Sequence, residues 1–295
     1  MEKIKKVAVV GGGLMGSGIA QVSAAAGFPT TVREISEPLC AKSRQSIERT
    51  LAKGMERGKV TEAERDTTLR NLRFVTDLKE LADSNLFIEA VVEDLDVKNR
   101  LWSELNQIAR PDAIFASNTS SLTIIAMAAA SGRSDRMLGL HFFNPVPLMK
   151  LVEVVRTITT SEDTERSALD FVRALGKEPI RAKDSSGFVV NLLLIPYMLD
   201  AINALESNVA SVEDIDKGIQ LGAGHPMGPF TLLDFVGLDT VYKISEIMFA
   251  EYREPRYAPP PLLKRMVLAG MLGKKSGKGF YDYSSTPPRV SSLGL

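Results

Sequence analysis

An α/β architecture with a mostly parallel sheet, followed by an all-α C-terminal domain, is predicted by three features of the sequence. Short apolar runs alternate with longer amphipathic ones over the first part of the chain. The alternation stops near residue 184. Beyond it every periodic segment has helical spacing and is separated from the next by Gly/Pro turns.

The elements follow in order. Val7–Val10, Thr30–Val32, Leu86–Val91, Ala113–Ala116, Met137–Leu140 and Leu151–Val155 read as strands, being short, apolar and rich in β-branched residues. Helical patterns lie between them near 14–26, 37–58, 95–109, 122–130 and 162–176. Strand–helix alternation of this kind makes crossover units and hence parallel pairing. Further helices are expected near 187–206, 212–220, 229–236, 239–252 and 261–270, with Ser211 and Asp214 as a helix start. The expected domains are therefore 1–183 and 184–295. The Ser/Pro-rich tail from Ser284 is expected to be mobile.

Bulk properties exclude several classes of function. The 295 residues suffice for two cores, and 44% hydrophobic with 24% charged residues is globular composition. Lys+Arg and Asp+Glu both total 36, which gives no electrostatic reason for nucleic acid or an anionic membrane as partner. One cysteine, Cys40, allows neither an internal disulfide nor a multi-cysteine metal site, and no metal is expected. Met1 to Lys6 runs directly into Val7–Val10, too short for a signal-peptide core. The longest apolar segment, 188–205, is broken by Asn191, Pro196, Asp200 and Asn203, so a buried helix is expected, not a membrane span. A soluble, cytoplasmic protein is expected.

The strongest local motif is Val7-Ala-Val-Val-Gly-Gly-Gly-Leu-Met-Gly-Ser-Gly18. Gly11, Gly13 and Gly16 hold the three positions of a dinucleotide fingerprint between a strand and a helix, with Leu14 and Met15 in the same turn. A helix N-terminus at that turn offers free N–H groups and positive dipole to a pyrophosphate. Glu34, at the end of the next strand, is placed to accept from the adenosine ribose and to repel a 2′-phosphate. The first domain thus reads as Rossmann-type and the cofactor as NAD. Arg33 beside Glu34 is expected on the opposite strand face.

Further motifs are Ala116-Ser-Asn-Thr-Ser-Ser-Leu122, Gly139-Leu-His-Phe-Phe-Asn-Pro145, Met149-Lys-Leu-Val-Glu-Val-Val155, Ser186-Gly-Phe-Val-Val-Asn191, His225-Pro-Met-Gly-Pro229 and Gly273-Lys-Lys-Ser-Gly-Lys-Gly-Phe-Tyr-Asp-Tyr283. In this order, from Val7 to Tyr283, they closely resemble the L-3-hydroxyacyl-CoA dehydrogenase family and its bacterial 3-hydroxybutyryl-CoA branch. The resemblance implies His141 as catalytic base, Glu153 as the carboxylate orienting it, and Ser120 and Asn191 as the residues holding the substrate oxygen. It implies Ser117, Asn118 and Asn144 on the nicotinamide side and Glu93 and Lys98 as further cofactor contacts. It also implies an acyl-CoA substrate, a place in fatty acid metabolism, a homodimer formed by the helical domain and a substrate cleft between domains. The chain departs from the family pattern at Gly12, where alanine is common, at Glu34, where aspartate is common, and at Leu192, where arginine usually follows the asparagine.

The chemistry agrees with these assignments. Oxidising a secondary alcohol requires a base titrating near working pH, and histidine's reference value of about 6.5 suits it. A carboxylate on the far ring nitrogen fixes the tautomer and stabilises the imidazolium. Hydrogen-bond donors at the developing oxyanion contribute about 3 kcal/mol each. His225, between Gly224 and Pro226, reads as structural. Arg49, Lys53 and Arg57 share one helix face; Glu48 and Glu56 make it a solvated charged face, while Lys53 with Lys59 is a second, functional reading as a receiver of the CoA phosphates. A dehydrogenase of a free hydroxy acid or sugar acid, and a nucleotide-binding protein without turnover, are the competing readings.

Overall fold

The computed structural model describes residues 4–294; Met1 to Lys3, part of the N-terminal run used above, lie outside the described residues. The chain divides between Phe188 and Val189 into two compact units.

In the first unit, β1 (Val7–Val10), α1 (Leu14–Ala25), β2 (Thr30–Arg33), α2 (Glu37–Glu56), α3 (Glu62–Arg70), β3 (Leu72–Val75), β4 (Leu86–Glu89), α4 (Leu95–Ile108) and β5 (Ile114–Ser117) come first. They are followed by α5 (Ile124–Ser131), β6 (Met137–Phe142), β7 (Leu151–Arg156), α6 (Glu162–Ala174) and β8 (Glu178–Lys183). The strands form one sheet in the order β3-β2-β1-β4-β5-β6-β7-β8. Every pairing is parallel except β6 with β7. β1 is buried along its whole length because both sheet faces are covered: Val7 and Val9 enter one hydrophobic cluster, Ala8 and Val10 another.

The sequence reading missed α3, β3 and β8. α3 begins with a capping box in which Thr61 and Glu64 satisfy each other's backbone N–H groups, a signal present in the sequence. β3 is four residues with a mixed burial pattern, too short for periodicity to stand out. β8, Glu-Pro-Ile-Arg-Ala-Lys, is the sheet's edge strand, where proline and charged residues are tolerated because one side needs no ladder partner.

In the second unit, α7 (Val190–Glu206), α8 (Val212–Ala223), α9 (Pro229–Val236), α10 (Leu238–Tyr252) and α11 (Pro261–Leu268) enclose a core that includes Ile202, Phe230, Leu233, Val241, Met248 and Phe280. Two buried carboxylates stitch its turns. Asp216 accepts from the N–H groups of Phe230 and Thr231 at the start of α9, at 2.7 and 3.0 Å, and from Tyr281 Oη at 2.9 Å. Asp234 accepts from the N–H groups of Phe280 and Tyr281, at 2.9 and 2.8 Å. Burial pushes the Asp234 carboxyl above its ordinary range, against the pull of those N–H donors. The tail expected to be mobile is partly ordered. β9 (Tyr281–Asp282) and β10 (Arg289–Val290) pair antiparallel, and Ser291 N donates to Phe280 O at 2.9 Å. Among the described residues no helix is long and apolar enough to cross a membrane.

Candidate active site

β1 lies between β2 and β4, so successive crossovers leave β1 in opposite directions and open a crevice at the carboxyl ends of the strands. Val10 at the end of β1 is in register with Glu89 at the end of β4, and Glu89 with Ser117 at the end of β5. The glycine turn, the loop after Glu89 and the Ser/Asn loop after Ser117 therefore share one sheet edge.

At the glycine turn each fingerprint position has a distinct local reason. Gly11 has φ +92°, and a Cβ there would lie 2.7 Å from Ala90 O. A Cβ on Gly16 would collide with the carbonyl oxygen of Gly11, whereas one on Gly13 would meet no protein atom within 4 Å. The space over Gly13 is thus open at the N-terminus of α1, where no side chain caps the first turn. That is a cradle for a pyrophosphate. Leu14 is exposed and Met15 half-buried there. Gly12, the departure from the family pattern, is explained by Ser43 on α2: a Cβ on Gly12 would lie 2.5 Å from Ser43 Oγ. Ser43 in turn holds Ser17 Oγ at 3.0 Å, and Ser17 donates to Gly12 O. Glu34 Oε1 accepts from Gly12 N at 2.6 Å, while Arg33 turns away and donates from Nε to Thr76 O at 3.1 Å.

Beneath the Ser/Asn loop lies a buried charge network. Lys98 Nζ sits 2.5 Å from Glu89 Oε1 and 3.2 Å from Glu93 Oε2. Glu89 also accepts from Ser117 Oγ at 2.6 Å and Val91 N at 2.8 Å. Glu93 accepts from the hydroxyls of Thr119 and Ser121 and from Ser120 N. One carboxylate thereby fixes three consecutive loop residues. Burial opposes ionisation of Glu93, but the Lys98 ammonium and the loop donors outweigh it and hold the carboxyl below its ordinary range. Two expected cofactor contacts, Ser117 and Lys98, have exposures of 0% and 1% and lie under this loop, on Glu89. Glu89, Thr119 and Ser121 were missed by the sequence reading. The available signal was a carboxylate, Glu89, closing an otherwise apolar strand.

His141 and Glu153 are twelve residues apart and become direct cross-strand partners because β6 and β7 are antiparallel. Nδ1 lies 2.6 Å from Oε2, with the side chains 7% and 0% exposed. Direct neighbours on one face of an antiparallel pair have their Cβ atoms about 5 Å apart, so the register delivers the pair without a specialised loop. Phe143 and Phe188 flank the imidazole, with ring centroids at 4.5 and 5.6 Å. Asn118 Oδ1 accepts from Phe142 N at 2.9 Å and so ties the Ser/Asn loop to the residue next to the histidine. Ser120 is half-buried in that loop, and Asn144 is exposed just after β6.

The remaining expected residues are placed elsewhere. Asn191 is in the first turn of α7, in the second unit. Lys53 in the last turn of α2, and Lys59 in the turn after it, are exposed. His225 is exposed, with its ring 5.7 Å from that of Tyr197. Among the described residues no group of three or more His, Cys, Asp or Glu side chains could hold a metal ion.

Comparison with known proteins gives the family. Residues 6–185 match the 3-hydroxyacyl-CoA dehydrogenase NAD-binding domain, and residues 187–283 match the 3-hydroxyacyl-CoA dehydrogenase C-terminal domain. A 3-hydroxybutyryl-CoA dehydrogenase of Mycobacterium tuberculosis is 53% identical over 96% of this chain and 99% of its own. The human mitochondrial hydroxyacyl-coenzyme A dehydrogenase is 48% identical over 95% of this chain and 91% of its own. The crystal structure of Ralstonia eutropha (S)-3-hydroxybutyryl-CoA dehydrogenase PaaH1 covers 96% of this chain and 100% of its own, at 40% identity and a TM-score of 0.92. These matches make NAD the cofactor. The chain belongs to the 3-hydroxyacyl-CoA dehydrogenase family, in its bacterial 3-hydroxybutyryl-CoA dehydrogenase branch, and is an NAD-dependent dehydrogenase.

Proposed function

We propose that the protein interconverts L-3-hydroxyacyl-CoA and 3-oxoacyl-CoA, with 3-hydroxybutyryl-CoA as the first substrate to test. The observation carrying this reading is the buried His141–Glu153 pair, in which Glu153 engages Nδ1 and leaves Nε2 for chemistry. Bound NAD supplies the hydride acceptor. His141 Nε2 takes the hydroxyl proton as the carbinol carbon is oxidised, and returns it in the reverse direction. Glu153 holds the tautomer and offsets the imidazolium charge. Ser120 and Asn191 donate to the substrate oxygen, each contributing about 3 kcal/mol as charge develops there. The names of the M. tuberculosis and R. eutropha relatives support the acyl-CoA substrate class.

On the cofactor side, Gly11, Gly13, Leu14, Met15 and Gly16 receive the pyrophosphate, and Glu34 the adenosine ribose. The Glu34 carboxylate beside Gly12, with Arg33 turned to Thr76, favours NAD over NADP. Asn118, Asn144 and Glu93 lie toward the nicotinamide, and Ser117 and Lys98 act from beneath the loop. The exposed Lys53 and Lys59 receive the CoA phosphates. Residues 1–183 serve the cofactor, and 184–295 serve the substrate cleft and a homodimer. The working setting is fatty acid metabolism in the cytoplasm.

The test is NADH consumption with 3-oxoacyl-CoA thioesters of increasing chain length, starting from acetoacetyl-CoA and repeated with NADPH and with free 3-oxo acids. Turnover confined to the thioesters and to NADH is expected. Equal turnover of the free acids would overturn the acyl-CoA assignment.

A further inference from the structure

The residues just after β8, 184–188, make more contacts with the elements around His141 than a linker requires. Asp184 spans sixty positions to accept from Ile124 N and Ile125 N, at 2.8 and 2.6 Å, and so caps α5 from outside. The residue at that helix's own cap position, Thr123, makes no side-chain cap. Two residues on, the buried hydroxyl of Ser186 donates to Ser121 O at 2.7 Å, at the end of the loop carrying Ser120. Two further on, Phe188 is 2% exposed with its ring beside His141. Gly187 and Phe188 both have positive φ, +82° and +50°. For a phenylalanine that conformation is strained and persists only where its surroundings impose it. Here Asp184 and Ser186 fix the preceding backbone, and Phe188 N closes the turn on Ser185 O at 2.8 Å.

We infer that Asp184, Ser186 and Phe188 form a positioning clasp that locks the Ser120 loop and the ring of His141 into one register. The inference rests on the reading of His141 as base and Ser120 as oxygen-holding residue. Without the clasp, the loop would still hang on Glu93 and the imidazole on Glu153, but each group would be anchored separately. Phe143 guards one side of the imidazole and Phe188 another. The strained residue therefore limits ring rotation and excludes water, while its neighbours two and four positions back grip the loop.

The test compares Ser186→Ala, Phe188→Gly and Phe188→Leu with the parent enzyme and with His141→Gln, using acetoacetyl-CoA and NADH. Ser186→Ala is expected to lower kcat about tenfold or more, since misplacement of the order of an ångström costs up to about a hundredfold. The dissociation constant for NADH should stay within about twofold and the melting temperature close to the parent's. Phe188→Gly should lower kcat further although it relieves the backbone strain, and Phe188→Leu should recover part of the loss by refilling the space. A Ser186→Ala enzyme with kcat within twofold of the parent would overturn the clasp, as would a loss fully accounted for by a lower fraction of folded enzyme. If His141→Gln keeps near-normal turnover, the base assignment fails instead, so the two failures are distinguishable.

Discussion

His141 and Lys98 both carry buried nitrogens held against carboxylates, and the contrast between them separates the group proposed to act from one proposed to support. Lys98 shares its ammonium between Glu89 and Glu93, and those carboxylates use their remaining capacity on Ser117, Thr119, Ser120 and Ser121. The network holds the loop in place from several consecutive residues. His141 uses Nδ1 on Glu153 and keeps its other ring nitrogen. Burial and a carboxylate partner are common to both; the proposed difference is a ring nitrogen that Glu153 does not engage.

The largest effect expected from this contrast is in turnover. Replacing His141 by Gln keeps size and hydrogen-bonding capacity but removes the base, and kcat is expected to fall by ~10³-fold. NADH titration should give an unchanged dissociation constant. Near-normal turnover would erase the distinction between the two sites.

On the supporting side, Lys98→Met should act on stability first. It strands Glu89, at 0% exposure, without its cation, and breaking such a pair from one side costs about 3 kcal/mol or more. Urea unfolding measures this. A midpoint equal to the parent's would show that the network does not hold the loop.

At the glycine turn, Gly13→Ala and Gly16→Ala should diverge. The added methyl at Gly13 meets no protein atom, whereas at Gly16 it collides with Gly11 O. The first variant should fold normally and bind NADH more weakly, by roughly tenfold, because the methyl occupies phosphate space. The second should lose folded protein outright. Circular dichroism with NADH titration separates the two.

The smallest effect is in acid. The Lys98 ammonium and the loop donors hold the Glu93 carboxyl below its ordinary range in the folded protein, against burial. Its contribution to stability is therefore complete above about pH 4.5 and is lost as pH falls through the lowered folded value. Urea midpoints measured from pH 6 downward should decline more steeply in the parent than in Glu93→Gln. Parallel curves would show that the Lys98 ammonium does not stabilise this carboxylate.

Much of this was legible beforehand because it depends on local chain properties. β1, the glycine turn and α1 are contiguous, Gly11 supplies the turn's positive φ, and Gly16 is required by the carbonyl of Gly11 five residues back. The six strands read from apolar runs are all present, as are the five helices of the second unit. The edge strand β8 escaped because its proline and charges hide the alternation. Part of the tail was misjudged because the pairing of Arg289–Val290 with Tyr281–Asp282 has no local periodicity to announce it.

The sequence alone determined the fold class, because helix and strand periodicity are short-range properties, and its ordered motifs carried the resemblance to the family. Only the tertiary structure gave the polar residues their partners. It showed that Lys98 and Ser117 lie beneath the loop, that Glu89 holds both, and that Asp184 reaches across sixty positions to cap α5. Such partnerships depend on which strands become neighbours in the sheet. That order is set by the packing of the whole unit, and no stretch of chain carries it by itself.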